Sequence, residues 1–387
     1  MSKRVLTGLH FMQGDIACAE GAIAAGCRFF AGYPITPASE IAERMARRLP
    51  EVGGTYAQME DELGSIAAVI GGSWTGNKVM TATSGPGISL MLENIGYAIA
   101  TETPCVIVNV QRGAPSTGTP SLPLQGDILQ ARRGSHGEYE VIALAPSSSQ
   151  EMFDLTIKAF NLAEEFRTPV FLLADSFIGH MREEILIPEE SEIDIVERKT
   201  PPSKISLTEY KSSLDEDIAP MPVFGQGFKS HVTGSTHNSY GKRNVTDPEA
   251  LDYYIKSLNS KIRKHKKEII SVDSDIKDFD VVLISYGTTY RAVREARKRL
   301  KEDKINVGSF RLISLWPFPE EEIEDLAKRV KTIIVLENNL GQIVSYVEAA
   351  AKGEAEVIFL PPQILGTIHN PDTIAKKVRE VKMRVNG

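Results

Sequence analysis

The chain has 387 residues, of which 42% are hydrophobic and 25% charged, a composition typical of a globular protein with room for two domains. Its formal net charge of -7 argues against a general role in nucleic-acid binding, which requires a basic face. The apolar stretches are too short for a membrane span of roughly 18 residues, and the start MSKRVLTGLHF is too short and polar for a secretory signal. These features predict a cytoplasmic protein that binds neither nucleic acid nor membranes.

The three cysteines are predicted to be buried thiols. Cys18, Cys27 and Cys105 stand far apart in apolar segments, with no C-x-x-C pair and no histidine at a spacing typical of metal ligands. We therefore expect the thiols to act as small hydrophobic side chains, and we expect no metal site and no iron–sulfur cluster on this chain.

Residues from about 8 to 185 alternate short apolar runs with helical periodicity, which predicts a parallel sheet covered by helices. Asp15 is expected to cap the first helix, which ends near Gly26. Ser148 and Glu151 are expected to form a capping box. The segments predicted after the first helix are CRFFAGYP, PASEIAERMARRL, GTYAQM, DELGSIAAVIGGSW, NKVMTATS, GISLMLENIGYAIA, PCVIVNV, SSQEMFDLTIKAFNLAEEF and TPVFLLAD.

The alternation stops between about residues 186 and 246, where prolines and a run rich in Gly, Ser and Asn predict a long connector over the surface. Residues 247–269 then predict a helix with a basic end, for which a solvent-facing or subunit-facing role is favoured over contact with nucleic acid. A second α/β unit begins near residue 280. Its predicted segments are DVVLISYG, RAVREARKRLKED, INVGSFRLIS, PEEEIEDLAKRV, KTIIVLEN, a helix near 342–351, EVIFLPP and a closing helix.

The segment GYPITPASEI, residues 32–41, places Thr36 between two prolines just after a predicted strand. This position draws attention because open parallel sheets bind ligands outside the carboxyl ends of their strands. One interpretation is structural: Thr36 caps the next helix, and Pro37 occupies its first position. The other is functional: Pro34 stiffens the strand exit so that the hydroxyl and free amides face an anionic group.

Three acids, Glu60, Asp61 and Glu62, stand at the start of the next predicted helix, where the helix dipole favours acidic side chains by about 0.3–1 kcal/mol. The dipole alone explains their position. Glu62, however, leads directly into the small and apolar run GSIAAVIGG, and a carboxylate that faces this surface would be desolvated. Such a carboxylate can share a proton with a heterocycle.

Two further loops follow strands at the same predicted edge. In TSGPGIS, Gly85 and Gly87 would let the backbone approach a ligand, although strand-to-helix turns also use glycine for steric reasons alone. Arg112 follows the strand PCVIVNV and offers a planar donor fork whose expected partner is a carboxylate. The small-residue loop GAPSTGTPS that comes next is suited to closing over a ligand.

Taken together, these segments resemble the alpha subunit of the 2-oxoacid:ferredoxin oxidoreductases, which are thiamine-diphosphate enzymes. The similar motifs are GYPITP, MEDELGSIAAVIGGSW, TATSGPGISLMLENIGYAIATETPCVIVNVQRG and PSTGTP…QGD, in the family's order, and VVLISYGTTYRAVREA resembles the transketolase carboxyl-terminal domain. The resemblance spans nearly the whole chain. It implies a pyrimidine-binding α/β domain at 1–190, a connector and linking helix at 191–265 and a smaller transketolase C-terminal-like α/β domain at 266–387.

The resemblance implies roles for individual residues. Glu62 matches the catalytic glutamate that hydrogen-bonds N1′ of the aminopyrimidine ring of thiamine diphosphate. Thr36 and Arg112 match the residues that hold the carboxylate and carbonyl of the 2-oxo acid. No residue matches a metal ligand, and the positions that match cofactor-binding residues are Tyr33, Pro34, Ile35, Glu62, Ser84, Gly85 and Gly87.

The resemblance also implies partner chains. This sequence lacks the G-D-G…N-N motif that binds the diphosphate through magnesium, and it lacks cluster ligands. A beta subunit is therefore expected to supply Mg²⁺ and a [4Fe-4S] cluster, and gamma and ferredoxin-like delta subunits are further expected partners. The implied reaction is the reversible oxidative decarboxylation of a 2-oxo acid with coenzyme A, which gives acyl-CoA, carbon dioxide and reduced ferredoxin.

The resemblance favours 2-oxoglutarate as the substrate, with 2-oxoisovalerate and pyruvate as alternatives. A second substrate carboxylate would need another cation near the loop that follows Arg112. Candidates are Arg132, Arg133 and His136, each of which also fits an ordinary packing or surface role.

Other classes of protein are considered on the same residues. A carboligase of the acetolactate-synthase kind would carry the diphosphate motif on one chain, and a nicotinamide-binding protein would show G-x-G-x-x-G after a strand. A non-catalytic scaffold would need neither Glu62 nor Arg112. Near the end of the chain, Glu337, Asn338 and Asn339 are expected to serve packing or subunit contact.

Overall fold

The computed structural model describes residues 5–202, 218–238, 240–277 and 279–386. Its strands are β1 (Gly8–Gln13), β2 (Cys27–Gly32), β3 (Thr55–Gln58), β4 (Lys78–Thr83), β5 (Cys105–Gln111), β6 (Ile142–Leu144), β7 (Pro169–Asp175), β8 (Arg182–Ile187), β9 (Val272–Asp275), β10 (Val281–Tyr286), β11 (Gly308–Leu312), β12 (Ser314–Trp316), β13 (Thr332–Leu336) and β14 (Glu356–Leu360). Its helices are α1 (Gly14–Ala24), α2 (Ser39–Glu51), α3 (Glu62–Trp74), α4 (Gly85–Ala100), α5 (Ile128–Arg133), α6 (Ser149–Phe166), α7 (Ser176–His180), α8 (Pro248–Arg263), α9 (Lys266–Ile269), α10 (Gly287–Glu302), α11 (Glu320–Ala327), α12 (Val344–Ala351) and α13 (Pro371–Asn386).

The larger sheet takes six of its seven strands from the first half of the chain and has the strand order β12-β6-β7-β5-β4-β2-β3. Its strands run parallel except for β12, which pairs antiparallel with β6. β4, β5 and β7 are buried along their whole length, as expected for apolar strands with helices on both faces of a parallel sheet. This arrangement confirms the predicted parallel sheet covered by helices.

The smaller sheet has the order β14-β13-β10-β11-β9, with β9 antiparallel to its neighbour and the other strands parallel. Alternate side chains of β10 face opposite sides: Val281 and Leu283 pack with α10 and α13, whereas Val282 and Ile284 pack with α11 and α12. The second α/β unit predicted from the sequence is therefore confirmed.

The sequence did not predict β1, β8 or β12, which lie outside the regular alternation of strands and helices. β1 and β8 pair antiparallel as a two-stranded sheet, and β12 crosses from the second half of the chain to the edge of the larger sheet. β12 is three residues long, too short for an alternation to show. Its Trp316 is buried and donates through Nε1 to the Ile128 carbonyl at 3.1 Å. The second half thus completes the first sheet, and the domain boundaries at 190 and 265 stay predictions.

Asp15 does not cap α1, contrary to expectation. The chain passes directly from β1 into the helix, so Gln13 stands at the cap position and Asp15 falls in the first turn. The Asp15 side chain is fully buried against α7, where a Cβ on Gly179 would lie 2.6 Å from Asp15 Oδ1. Gly179 therefore allows α1 and α7 to approach closely.

Thr36 does not cap α2, so the structural interpretation of this residue is wrong. The N–H of Ala38 donates to the Ile35 carbonyl at 2.8 Å. This turn contains Thr36 and Pro37 and delays the start of the helix to Ser39, with Ala38 at the cap position. The Thr36 side chain is left exposed at the exit of β2.

The capping box before α6 is half formed. The Ser148 hydroxyl accepts the Glu151 N–H at 3.1 Å, as expected. The Glu151 carboxylate, however, accepts from the N–H of Ser147 at 2.8 Å rather than from that of Ser148. Arg311 of β11 draws the same carboxylate into an ion pair of 2.7 Å, which explains the shift by one residue.

The connector after β8 lies over the first half of the chain but contributes to its core. Met221 and Val223 are buried, and the Phe224 ring lies 5.1 Å from the Trp74 ring. Residues 203–217 of the predicted connector lie outside the described residues.

The predicted helix with a basic end divides into α8 and α9, and α8 packs inward. Lys261 is buried and forms a 3.0 Å ion pair with Glu102, which is also buried. Burial lowers the pKa of Lys261, and the charge of Glu102 opposes that change. This part of the basic helix therefore serves packing rather than contact with solvent.

The cysteines behave as expected. Cys18, Cys27 and Cys105 are free thiols and are buried, and burial raises the pKa of each to about 12. Within the described residues, none of the helices combines the length and the apolar character that a membrane crossing requires.

A buried polar network joins the two halves of the chain. The Glu337 carboxylate accepts the N–H groups of Ile343 and Val344 at 2.9 Å and the Tyr286 hydroxyl at 3.0 Å. Gln125, from the loop after β5, accepts the Asn338 N–H at 3.0 Å. The packing role expected for the residues around Glu337 is confirmed, and the network fixes the far end of the loop that begins at Arg112.

Candidate active site

The candidate residues lie at the carboxyl ends of four neighbouring strands. β5, β4, β2 and β3 are adjacent in the larger sheet and run parallel, so their following loops meet at one edge. Thr36 follows β2, Glu62 opens the helix after β3, Ser84 follows β4 and Arg112 follows β5. The topology therefore brings together residues that are distant in the sequence.

Glu62 is held at the first position of α3 with its side chain 4% exposed. Asp61 caps the helix, because its Oδ1 accepts the Gly64 N–H at 2.7 Å. Among the described residues, the Thr83 hydroxyl donates a hydrogen bond to the Glu62 carboxylate at 3.5 Å, which is the upper limit for such a contact. Glu62 is therefore the buried carboxylate that the sequence predicted, and it retains capacity to accept from a ligand.

The first turn of α4 closes against Glu62. A Cβ at Gly87 would lie 2.0 Å from Thr83 Oγ1 and 2.6 Å from Glu62 Oε1, so no other residue fits at this position without a shift. The Ser84 hydroxyl is used within the protein, since it donates to the Val110 carbonyl at 2.9 Å. Glycine is thus needed at position 87 for the approach of the helix to the carboxylate.

Arg112 is 8% exposed and ties two loops together. Its Nη1 donates to the Thr36 carbonyl, and its Nη2 donates to the Thr117 carbonyl at 2.8 Å. Its Nε is buried and has no hydrogen-bond partner among the residues that the structure describes. The structure therefore places Arg112 beside Thr36, as the shared role of the two residues in the sequence analysis requires.

A cavity of about 310 Å³ opens beside Arg112. It is lined by the loop after β5 and by the first turn of α4, including Gly85, together with Asp127. A Cβ at Gly85 would lie 2.9 Å from Asp127 Oδ2, so glycine is required here for contact with this acid. The cavity is large enough for a small carboxylic acid and has Arg112 in its wall.

Asp127 received no role from the sequence, although the motif Gln-Gly-Asp ends the loop that begins at Arg112. Its Oδ2 accepts from the Asn109 amide at 3.0 Å, and its N–H donates to the Gln111 side chain at 3.0 Å. Burial raises the pKa of Asp127, and the Asn109 hydrogen bond and the Arg112 charge oppose this rise. Only the fold shows that this acid faces the cavity.

Tyr33, Pro34 and Ile35 form the exit of β2. Tyr33 is 41% exposed, Pro34 is exposed and Ile35 is half-buried. These side chains lie on an open face of the site, where a ligand or a second chain can reach them.

The three cations considered for a second substrate carboxylate do not line this cavity. Arg132 pairs with Glu140 at 2.8 Å and lies 5.9 Å from the centre of the Trp316 ring, so it has a packing role. Arg133 is exposed, and His136 lines a different cavity of about 710 Å³.

Comparison with known families decides which class of protein has this arrangement. The family described as "Pyruvate flavodoxin/ferredoxin oxidoreductase, thiamine diP-bdg" matches residues 20–256. The chain belongs to this family. A second family domain, "Pyruvate:ferredoxin oxidoreductase core domain II", matches residues 279–374. The resemblance noted in the sequence is therefore confirmed, and residues 20–256 form the thiamine-diphosphate-binding domain of this family.

Relatives within the family are similar over the whole chain. "2-Oxoglutarate synthase subunit KorA" of Methanocaldococcus jannaschii is 53% identical over 96% of this chain and 99% of its own length. "Ketoisovalerate oxidoreductase subunit VorB" of Methanothermobacter thermautotrophicus is 34% identical over 96% of this chain and 97% of its own length.

A solved structure agrees with the fold. The 2-oxoglutarate:ferredoxin oxidoreductase from Magnetococcus marinus, with 2-oxoglutarate, coenzyme A and succinyl-CoA bound, is 33% identical and superimposes with a TM-score of 0.90. The match covers 97% of this chain and 65% of that one, so this chain spans about two thirds of the length of the matched chain.

The residues fit the aminopyrimidine half of thiamine diphosphate. Glu62 is buried, and among the described residues its carboxylate accepts only the long hydrogen bond from Thr83 at 3.5 Å, so it can still accept a shorter one from the ring. When bound, the coenzyme supplies a carbon nucleophile and an electron sink for the decarboxylation of 2-oxo acids. This chain's contribution is a buried acceptor for a ring N–H at Glu62.

Proposed function

We propose that this chain is the alpha subunit of a 2-oxoglutarate:ferredoxin oxidoreductase. The enzyme converts 2-oxoglutarate and coenzyme A to succinyl-CoA and carbon dioxide and passes electrons to ferredoxin, and the reaction is reversible. The observation that carries this proposal is the position of Glu62 against Gly87, next to a cavity that contains Arg112. The preference for 2-oxoglutarate is supported by the relative that is 53% identical over nearly its full length.

Each residue of the site has a distinct task in this proposal. Glu62 accepts a hydrogen bond from the N1′ position of the aminopyrimidine ring and so controls where the ring carries its proton. Arg112, in the wall of the cavity, and Thr36 beside it bind the carboxylate and the carbonyl of the 2-oxo acid.

A partner chain completes the site. The sequence lacks a diphosphate motif and cluster ligands, so a beta subunit supplies Mg²⁺ and a [4Fe-4S] cluster, and gamma and ferredoxin-like delta subunits join them. The exposed exit of β2, with Tyr33 and Pro34, is the part of the site that such a partner can cover. The complex is proposed to work in the cytoplasm.

A second substrate is supported by a specific comparison. The relative that is 34% identical over 97% of its length is a ketoisovalerate oxidoreductase subunit, so 2-oxoisovalerate is the second candidate. A non-catalytic scaffold is disfavoured because it would not need a buried acid at position 62 or an arginine at position 112.

Reconstitution tests the proposal. The chain, purified from native cells with its partner subunits, should give a brown complex that reduces a low-potential acceptor only when 2-oxoglutarate and coenzyme A are both present. The chain alone should be inactive. Turnover by the isolated chain, or a kcat/KM at least about tenfold higher for 2-oxoisovalerate or pyruvate, would contradict the proposal.

A further inference from the structure

Three titratable side chains from separate helices meet beneath the loop that carries Thr36. Asp15 comes from α1, Glu40 from α2 and His180 from the end of α7. His180 Nε2 lies 3.5 Å from Glu40 Oε2 and 4.0 Å from Asp15 Oδ2. Sequence spacing gave no sign of this cluster, because only the fold brings the three helices together.

His180 also reaches the substrate loop itself. Its Nε2 lies 3.2 Å from the carbonyl oxygen of Pro37. A carbonyl oxygen can only accept a hydrogen bond, so this contact requires the proton on Nε2. The neighbouring carbonyl, that of Thr36, accepts from Arg112. Two successive carbonyls of the loop are therefore held by basic side chains from different elements.

The two carboxyl groups do not have the same role. Asp15 is fully buried, and both of its carboxyl oxygens lack a hydrogen-bond partner among the described residues. Burial raises the pKa of Asp15 well above its usual range, and the charge of Glu40 adds to this rise. Glu40 is about one third exposed and lies closer to the imidazole, with its Oε2 3.5 Å from His180 Nε2 against 4.0 Å for Asp15 Oδ2.

We propose that His180 is a positioning residue for substrate binding, which holds the Pro37 carbonyl and thereby sets the direction in which Thr36 faces the 2-oxo acid. This inference rests on the proposed function, in which Thr36 contacts the substrate. Arg112 binds the carbonyl of Thr36, and His180 binds the carbonyl of Pro37. The backbone that carries the exposed Thr36 hydroxyl is therefore held at two successive carbonyls. Glu40 Oε2 lies 3.5 Å from the same Nε2, so it is a second and longer acceptor for that one N–H.

The same three side chains have the composition of a metal site. A histidine nitrogen that carries a proton cannot ligate a cation, and His180 Nε2 must carry one to contact Pro37. A measurement of metal bound to the complex therefore distinguishes His180 as a metal ligand from His180 as a donor to the Pro37 carbonyl.

The test compares His180→Ala and His180→Gln in the complete complex, because glutamine retains an N–H donor. In His180→Ala we expect KM for the 2-oxo acid to rise about tenfold, because one hydrogen bond worth about 1.4 kcal/mol is lost. Both kcat and the KM for coenzyme A should stay within about twofold of the unaltered enzyme. His180→Gln should restore KM to within about threefold of the unaltered enzyme. His10 of β1 is the control, since its Nε2 also contacts a backbone carbonyl, that of Thr7, at 3.0 Å. His10→Ala should change none of these values.

A second measurement does not depend on activity. Hydrogen exchange at the amides of Ile35, Thr36 and Ala38 should be about tenfold faster in His180→Ala than in His180→Gln. A complex that is inactive on every 2-oxo acid but shows this difference would defeat the proposed function and leave the positioning contact in place. Unchanged exchange, a fall in kcat without a change in KM, or a stoichiometric metal ion that is lost in His180→Ala would overturn the inference.

Discussion

Replacing Glu62 with glutamine should abolish turnover in the assembled complex, with kcat reduced by at least about 10²-fold. Glutamine has nearly the same shape, so it preserves the packing against Gly87 and Thr83. It cannot, however, present a carboxylate to the ring nitrogen, and control of the ring proton is lost. The measurement is steady-state reduction of a low-potential acceptor with 2-oxoglutarate and coenzyme A.

The matched control for this variant is Glu60→Gln. Glu60 precedes the same helix and is exposed, so its replacement should leave kcat near that of the unaltered enzyme. Glu62→Gln should also still assemble with its partner chain, as judged by gel filtration. Near-normal turnover in Glu62→Gln would show that the glutamate has a different role.

Arg112→Ala should lower kcat/KM for the 2-oxo acid by about 10- to 100-fold, the expected loss for a hydrogen bond to a charged group. The guanidinium holds the carbonyls of Thr36 and Thr117 and lines the cavity beside α4. Arg112→Lys should not restore activity, because an ammonium group lacks the planar fork that serves two loops at once. Kinetic constants for the 2-oxo acid and for coenzyme A should be measured separately.

Thr36 provides the companion variants. Thr36→Ala should raise KM for the 2-oxo acid, and Thr36→Ser, which keeps the hydroxyl, should restore most of the loss. Arg329→Ala is the control for loss of an arginine, because Arg329 is exposed just after α11 in the second α/β unit. If kcat/KM is unchanged in both Arg112→Ala and Thr36→Ala, these residues do not contact the substrate.

Much of the fold follows from local sequence patterns. β4 and β5 were predicted because uninterrupted apolar runs between helices are typical of buried parallel strands. Glu62 was predicted as a buried acid because the helix that follows it is small and apolar. These features depend on neighbours in the sequence, which is why they could be found without a structure.

The errors have the opposite origin. Thr36 was a plausible helix cap by residue type, but a turn from Ile35 to Ala38 places it outside α2. Arg132 was a plausible ligand for a carboxylate, but it pairs with Glu140 and packs beside Trp316 of the second half of the chain. For Arg132, a contact with a distant segment decides the case. For Thr36, a local turn decides it, and the residue types alone do not reveal that turn.

The residues around the site that went unassigned share this property. Asp127 faces the cavity because α4 presents Gly85 to it, and His180 reaches Pro37 because α7 packs against α1. The contacts of Asp127 and His180 could therefore be found only from the fold.

The central claim is that this chain binds only the ring half of the coenzyme, through Glu62. A structure of the assembled complex with thiamine diphosphate tests it most directly. We expect the Glu62 carboxylate to lie at hydrogen-bond distance, about 2.6–3.2 Å, from N1′ of the ring, with the diphosphate bound by the partner chain. A ring bound away from Glu62, or a coenzyme held entirely by this chain, would contradict the account.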